Sequence, residues 1–248
     1  MKPPSEHQRL GKPPLVETVF ELRYISKFTT DAIRTQLLSK FPNFSNEELL
    51  HSQQLIFKIE SGSIEKVSPS EEPLDLVLFR YRNPEKNEFL QLGKGILSIH
   101  SLAYTGFADF FSTVQSILAS LHEMNLVSEY RGLLLRYINH FSLDLTPQRV
   151  FAWLTPIPTK WDTALPIQNL QQTVFRVEED LQIVTVAYPQ QDQQAKMVMV
   201  FDIQHRIDFD LLVEPDLDKI ISWLEEAHVK VYETFEGALK PDFFEELK

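Results

Sequence analysis

The chain has 248 residues, 43% hydrophobic and 24% charged, with 18 Phe and no Cys. That length can bury a substantial core, as one large domain or two small ones. The missing cysteine excludes disulfides, thiolate metal centres, iron–sulfur clusters and cysteine nucleophiles. A formal charge of −11 repels polyphosphate over the surface as a whole, with 15 basic against 17 acidic residues up to Asp144 and 9 against 18 after it.

Leu15 to Ile25 alternates Val16, Phe20, Leu22 and Tyr24 with Glu17, Glu21 and Arg23, which predicts a strand with one buried face, entered through Pro13 and Pro14. Ile33, Leu37, Leu38 and Phe41 recur at helical spacing after Thr30, and Pro42 stops that helix. Gln53 to Glu60 and Leu74 to Arg82 read as strands, separated by an exposed loop from Ser61 to Pro73. After a turn at Asn83 to Asn87, Phe89 to His100 reads as one strand, bulged or bent at Gly93 and Gly95. Gly106 to Glu123 carries a wide apolar helical stripe that includes Phe107, Phe110 and Phe111. Arg131 to Leu143 is apolar on both faces, so it is expected to lie centrally and to bridge the two parts of the chain.

In the second part, Pro147 to Leu154 suits a short helix, and Pro156, Pro158 and Pro166 argue against regular structure around them. Leu170 to Glu178 and Leu181 to Tyr188 read as a hairpin turning at Glu179 and Asp180. Lys196 to Asp210 alternates an apolar face, which includes His205, with Asp202, Gln204, Arg206, Asp208 and Asp210. Pro215 and Asp216 open a long helix to Phe235, with His228 beside its stripe, and Pro241 starts a last acidic turn or helix.

Runs of strands joined by turns too short for crossovers, each run closed by a helix, predict an α+β fold. The order of elements in Leu74 to Glu123 returns in Leu170 to Phe235. The expected architecture is two similar halves, 1–144 and 145–248, closely packed, each an antiparallel sheet with helices on one face.

Motif chemistry is mostly excluded. Gly93-Lys94-Gly95 lacks the rest of a phosphate cradle, and no dinucleotide fingerprint, His-Glu-x-x-His or Gly-x-Ser-x-Gly occurs. No two histidines have helical i, i+4 or strand i, i+2 spacing, so no metal and no cofactor is expected. Glu17 and Glu21 stand about 13 Å apart along an extended strand, too far to act together on one bond, whereas Glu21 can pair with Arg23. The acids beside Arg206 suit internal ion pairing better than a hard cation. His205 and His228 read as hydrogen-bonded core histidines.

Pro13-Pro14-Leu15-Val16-Glu17, Glu21-Leu22-Arg23-Tyr24, Arg136-Tyr137-Ile138-Asn139, and Ala227-His228 followed by Phe235-Glu236 resemble a sporadically distributed prokaryotic family of about this length with no established activity. The resemblance runs over nearly the whole chain and departs from the family where Pro241 interrupts the C-terminal helix. It implies Glu17, Glu21, Arg23, Arg136, Asn139, Asp202 and His228 as the polar positions to follow.

Two functional expectations result. The first is a non-enzymatic binding or assembly protein that joins sheet edges or acidic helical faces, with itself as a homodimer or with another protein. The alternative is an enzyme or small-ligand sensor with a polar site between the halves, built from Glu17, Glu21, Arg23 and His228. Nucleic acid is not expected as a partner. A charged, proline-containing N-terminus and the lack of any membrane-length apolar run set the expectation of a cytoplasmic protein without a membrane partner.

Overall fold

The computed structural model describes residues 10–11, 13–53, 57–60, 63–66, 75–142, 147–152, 169–191, 197–214 and 216–248. These residues form a mixed α+β structure dominated by antiparallel sheet. The strands are β1 (Leu15–Ile25), β2 (Ser45–Gln53), β3 (Phe57–Glu60), β4 (Ser63–Lys66), β5 (Asp75–Asn83), β6 (Glu88–Gly93), β7 (Ile96–Ser101), β8 (Glu129–Ser142), β9 (Asn169–Val177), β10 (Asp180–Gln191) and β11 (Met197–Val213). The helices are α1 (Thr30–Lys40), α2 (Phe107–Glu123), α3 (Pro147–Val150), α4 (Leu217–Ala238) and α5 (Pro241–Leu247). Among the described residues no helix is long and apolar enough to cross a membrane.

Nine strands make one sheet in the order β2-β5-β6-β7-β1-β8-β11-β10-β9, and β3 with β4 makes a separate hairpin. Every one of these pairings is antiparallel. The sheet is continuous across the expected division of the chain, because β8 pairs with β1 on one side and with β11 on the other. Its two faces separate by side-chain alternation. Phe20, Leu22, Leu97, Ile99, Leu133, Leu135, Phe201 and Ile203 join the helical residues Leu37, Val114, Ile117, Leu224 and Val231 in one buried cluster, on what we term the packed face. Glu17, Glu21, Arg23, His100, Arg136, Asp202, Gln204 and Arg206 alternate with these and lie on the polar face.

Several elements differ from the sequence expectation. Phe89 to His100 is two strands, β6 and β7, because Lys94 and Gly95 make a tight turn and Gly95 adopts a φ of 71°. The turn between β9 and β10 falls at Glu178 and Glu179, with Glu178 at a φ of 59°, so Asp180 starts the next strand opposite Val177. Within the expected loop, Ser63–Lys66 is a strand, since Ile64 opposes Ile59 in a short hairpin. The expected strand from Gln53 to Glu60 divides between β2 and β3. The proline-rich passage around Pro156, Pro158 and Pro166 lies outside the described residues.

Helix ends follow from local chemistry. Thr29 caps α1 by accepting from the Ala32 N–H, and Asp216 caps α4 by accepting from the Lys219 N–H. The amphipathic faces of α2 and α4 meet each other, α4 also lies against β8 and β11, and α1 touches α2 and β6.

Gly95 ties the β6–β7 turn to β1, for its carbonyl accepts from the Tyr24 N–H at 3.0 Å. A Cβ there would stand 2.9 Å from the Tyr24 carbonyl oxygen, on a backbone that L side chains rarely adopt. Gly95→Ala is therefore expected to destabilise the fold by about 1–3 kcal/mol, measured as a lower urea midpoint with an unchanged slope.

Candidate functional site

The polar face carries a chain of hydrogen bonds that alternation alone does not announce. His100 on β7 places its Nδ1 2.6 Å from Glu17 Oε1 on β1, and its Nε2 3.0 Å from Ser98 Oγ. Ser98 and His100 share a face because they are two apart on one strand. Glu17 reaches that face from the neighbouring strand, with Val19 directly opposite His100. Ionised Glu17 can only accept, so Nδ1 carries the proton, and in the neutral imidazole Nε2 then accepts from the Ser98 hydroxyl.

Burial by itself would raise the Glu17 carboxyl. The hydrogen bond from His100 and the guanidiniums of Arg136 and Arg80 outweigh it and hold Glu17 below the ordinary glutamate range. Ser98 is only 6% exposed, and its direct neighbour on β6 is Gln91. With its amide oxygen turned toward Arg80, Gln91 accepts from Nε and Nη2 at 3.1 Å each. Arg80 and Arg82 both lie over the Phe89 ring, 5.3 and 5.7 Å from its centroid, within cation–π reach.

A second group adjoins the first on β8 and β11. Arg136 grips Asp202 in a bidentate pair, Nε to Oδ1 at 2.9 Å and Nη2 to Oδ2 at 2.8 Å, and Gln204 donates to the same carboxylate. Further along β1, Arg23 donates to Glu21 at 2.8 Å, and Arg206 pairs with Asp208. Asp202 and Asp208 of β11 are thus held by guanidiniums, as internal ion pairing requires.

Five of the seven sequence-derived positions, Glu17, Glu21, Arg23, Arg136 and Asp202, meet on this face across β1, β8 and β11. The other two do not join them. Asn139 is buried on the packed face, where its Nδ2 donates to the Phe201 carbonyl at 3.1 Å. His228 lies 2.7 Å from the Tyr137 hydroxyl and stacks on Phe107 at 3.8 Å between centroids, which fastens α4 to β8 and α2. Arg136 and Tyr137 are successive strand residues and point to opposite faces, so His228 is across the sheet from the glutamates. The imidazole that meets Glu17 is that of His100. Its signal was a serine and a histidine at strand spacing, whereas its carboxylate partner lies 83 residues away in sequence.

His205 is fully buried, as its apolar setting predicts, with Nε2 2.6 Å from Asp180 Oδ2. Trp223 Nε1 donates to the same oxygen at 3.3 Å, and Lys230 stands 3.5 Å from it. This group binds β10, β11 and α4 together on the packed face. A groove of about 460 Å³ lies where the end of α2 meets the start of α4, lined by His122, Glu214, Asp216, Asp218 and Lys219. None of the Ser98, His100 and Glu17 group lines it.

Because the folded Glu17 carboxyl sits below the ordinary value of 4.5, its stabilising contribution is full above that value and is lost as pH falls through the folded value. Glu17→Gln should cost about 1–2 kcal/mol near neutral pH and should remove the part of the acid loss that Glu17 causes. Urea unfolding at a series of pH values from about 7 to about 3 would read this as curves that converge on the acid side. Comparison of the chain with protein-family models, with curated proteins and with solved structures finds no match.

Proposed function

We propose that this chain is a binding and assembly protein that pairs with a second copy of itself through the outer edge of β9. The observation that carries this reading is the character of that edge. β9 ends the sheet order, and among the described residues nothing pairs with its outer side. Leu170, Val174 and Phe175 on it are 63%, 55% and 46% exposed. It runs nine residues in unbroken register with β10, without the bulge, lysine or proline that commonly blunts an edge.

Charge favours a second copy at this place. The chain carries −11 overall, so two copies repel over most of their surfaces. Asn169–Val177 contains Arg176 as its single charged residue and no acid, which makes β9 a strip where two copies approach without that penalty. Antiparallel pairing about Gln172 sets Leu170 of each copy opposite Val174 of the other, on one face.

A repeat in the sheet order, divided before β8 rather than after Asp144, supports the same reading. Sheet order is mirrored about the β1–β8 pair, with β7, β6 and β5 outward on one side and β11, β10 and β9 on the other. Leu22-Arg23-Tyr24-Ile25 on β1 and Leu135-Arg136-Tyr137-Ile138 on β8 are the same tetrapeptide. In this correspondence β9 matches β5, whose outer edge β2 covers. Among the described residues β9 has no such neighbour, and a second β9 would supply it.

Sedimentation equilibrium at micromolar concentration should give a dimer, and the double variant Leu170→Lys, Val174→Lys should give a folded monomer, with association weakened by about tenfold or more. A wild-type chain that stays monomeric over that range, or a double variant that dimerises as tightly as wild type, contradicts the proposal.

A further inference from the structure

Ser98, His100 and Glu17 have no part in an edge-to-edge assembly, for they lie on β7 and β1 in the body of the sheet. From their geometry we infer that Ser98 is an activated nucleophile for acyl transfer, with His100 as its base and Glu17 as the positioning residue. The atoms connect in the order that chemistry needs: hydroxyl to Nε2 at 3.0 Å, Nδ1 to carboxylate at 2.6 Å. Glu17 fixes the tautomer that leaves Nε2 free to take a proton, and it balances the imidazolium that forms when it does.

The reaction follows directly. Ser98 Oγ bonds to the carbonyl carbon of an ester as its proton passes to His100 Nε2. The tetrahedral adduct collapses, the bond to the leaving oxygen breaks, and that oxygen departs as an alcohol with the proton from Nε2. Water then adds to the acyl-serine and gives a proton to Nε2. Collapse releases the carboxylic acid, and Ser98 Oγ recovers the proton. Arg80 is held by Gln91, the residue directly across from Ser98 on β6, so its charge stands on the same polar face and favours the negative charge that develops on the carbonyl oxygen. Because Ser98 is only 6% exposed on a sheet face, the substrate class we assign is a small acyl ester, such as an acetyl ester.

The test uses the whole chain and diisopropyl fluorophosphate, with peptide mass spectrometry to locate the adduct and circular dichroism to confirm that each variant is folded. Wild type should gain one adduct, on Ser98. Ser98→Ala should gain none, and His100→Gln should label about 100-fold more slowly or worse. Ser98→Cys supplies an independent reading, because the chain has no other cysteine. Its alkylation by iodoacetamide at neutral pH should be faster than in Ser98→Cys, His100→Gln by about tenfold or more. No adduct on Ser98 in folded wild type, or equal rates with and without His100 in both assays, overturns the inference.

Discussion

The antiparallel pairing of β1 with β8 is the constraint on which the rest depends. Its register, Phe20 opposite Leu135 and Val19 opposite Arg136, decides which side chains enter the core and which reach the polar face. A slip of one residue would exchange the faces of a strand and carry Glu17, Glu21 and Arg23, or Arg136, into the apolar cluster. Two such carboxylates without partners would each cost several kcal/mol in that setting. The register is therefore fixed by the price of the wrong face as much as by the gain of the right one. Since β1 also pairs with β7 and β8 with β11, the same choice propagates outward through the sheet.

Polar residues on the two faces do different work. On the packed face, Tyr137 with His228, and Asp180 with His205 and Trp223, each join strands to α4 through buried hydrogen bonds. Such groups are costly unless satisfied, so they specify how the helix sits as well as that it binds. On the polar face the charges satisfy one another laterally, carboxylate to guanidinium or imidazole across neighbouring strands. Val19, amid these long side chains, is 5% exposed, which is consistent with stems that cover apolar surface while their heads stay paired. Edge and face thus differ: β9 has an outer side unpaired among the described residues, and the paired polar side chains lie at the centre of the sheet.

Much of the fold was legible in the chain because period-two alternation is strong where one face is buried. Leu15 to Ile25 matches β1, and the alternating run ending near Asp210 matches β11 with a short extension. The doubly apolar segment around Leu133 to Phe141 was legible as a central strand, and it does pair on both sides. Gly93 to Gly95 misled, since a glycine in a strand pattern fits a bulge as well as a two-residue turn, and only the positive φ at Gly95 separates them. The candidate site was half legible. Glu17, Arg136 and Asp202 stood out as charges on strands, but their company depends on strand order, which local pattern does not encode. His228 was grouped with Glu17 by type, although its helix lies on the other side of the sheet. The shared tetrapeptide of β1 and β8 gains its meaning only once the two strands are seen side by side.

Nuclear Overhauser contacts between backbone protons of β1 and β8 test this account most directly. It predicts cross-strand contacts that link Phe20 with Leu135 and Thr18 with Tyr137, and others that link Ile138 with Asp202 on β11. Contacts displaced by one residue, or β1 found against a strand other than β7 and β8, would place the charged side chains differently and contradict both the sheet and the site built on it.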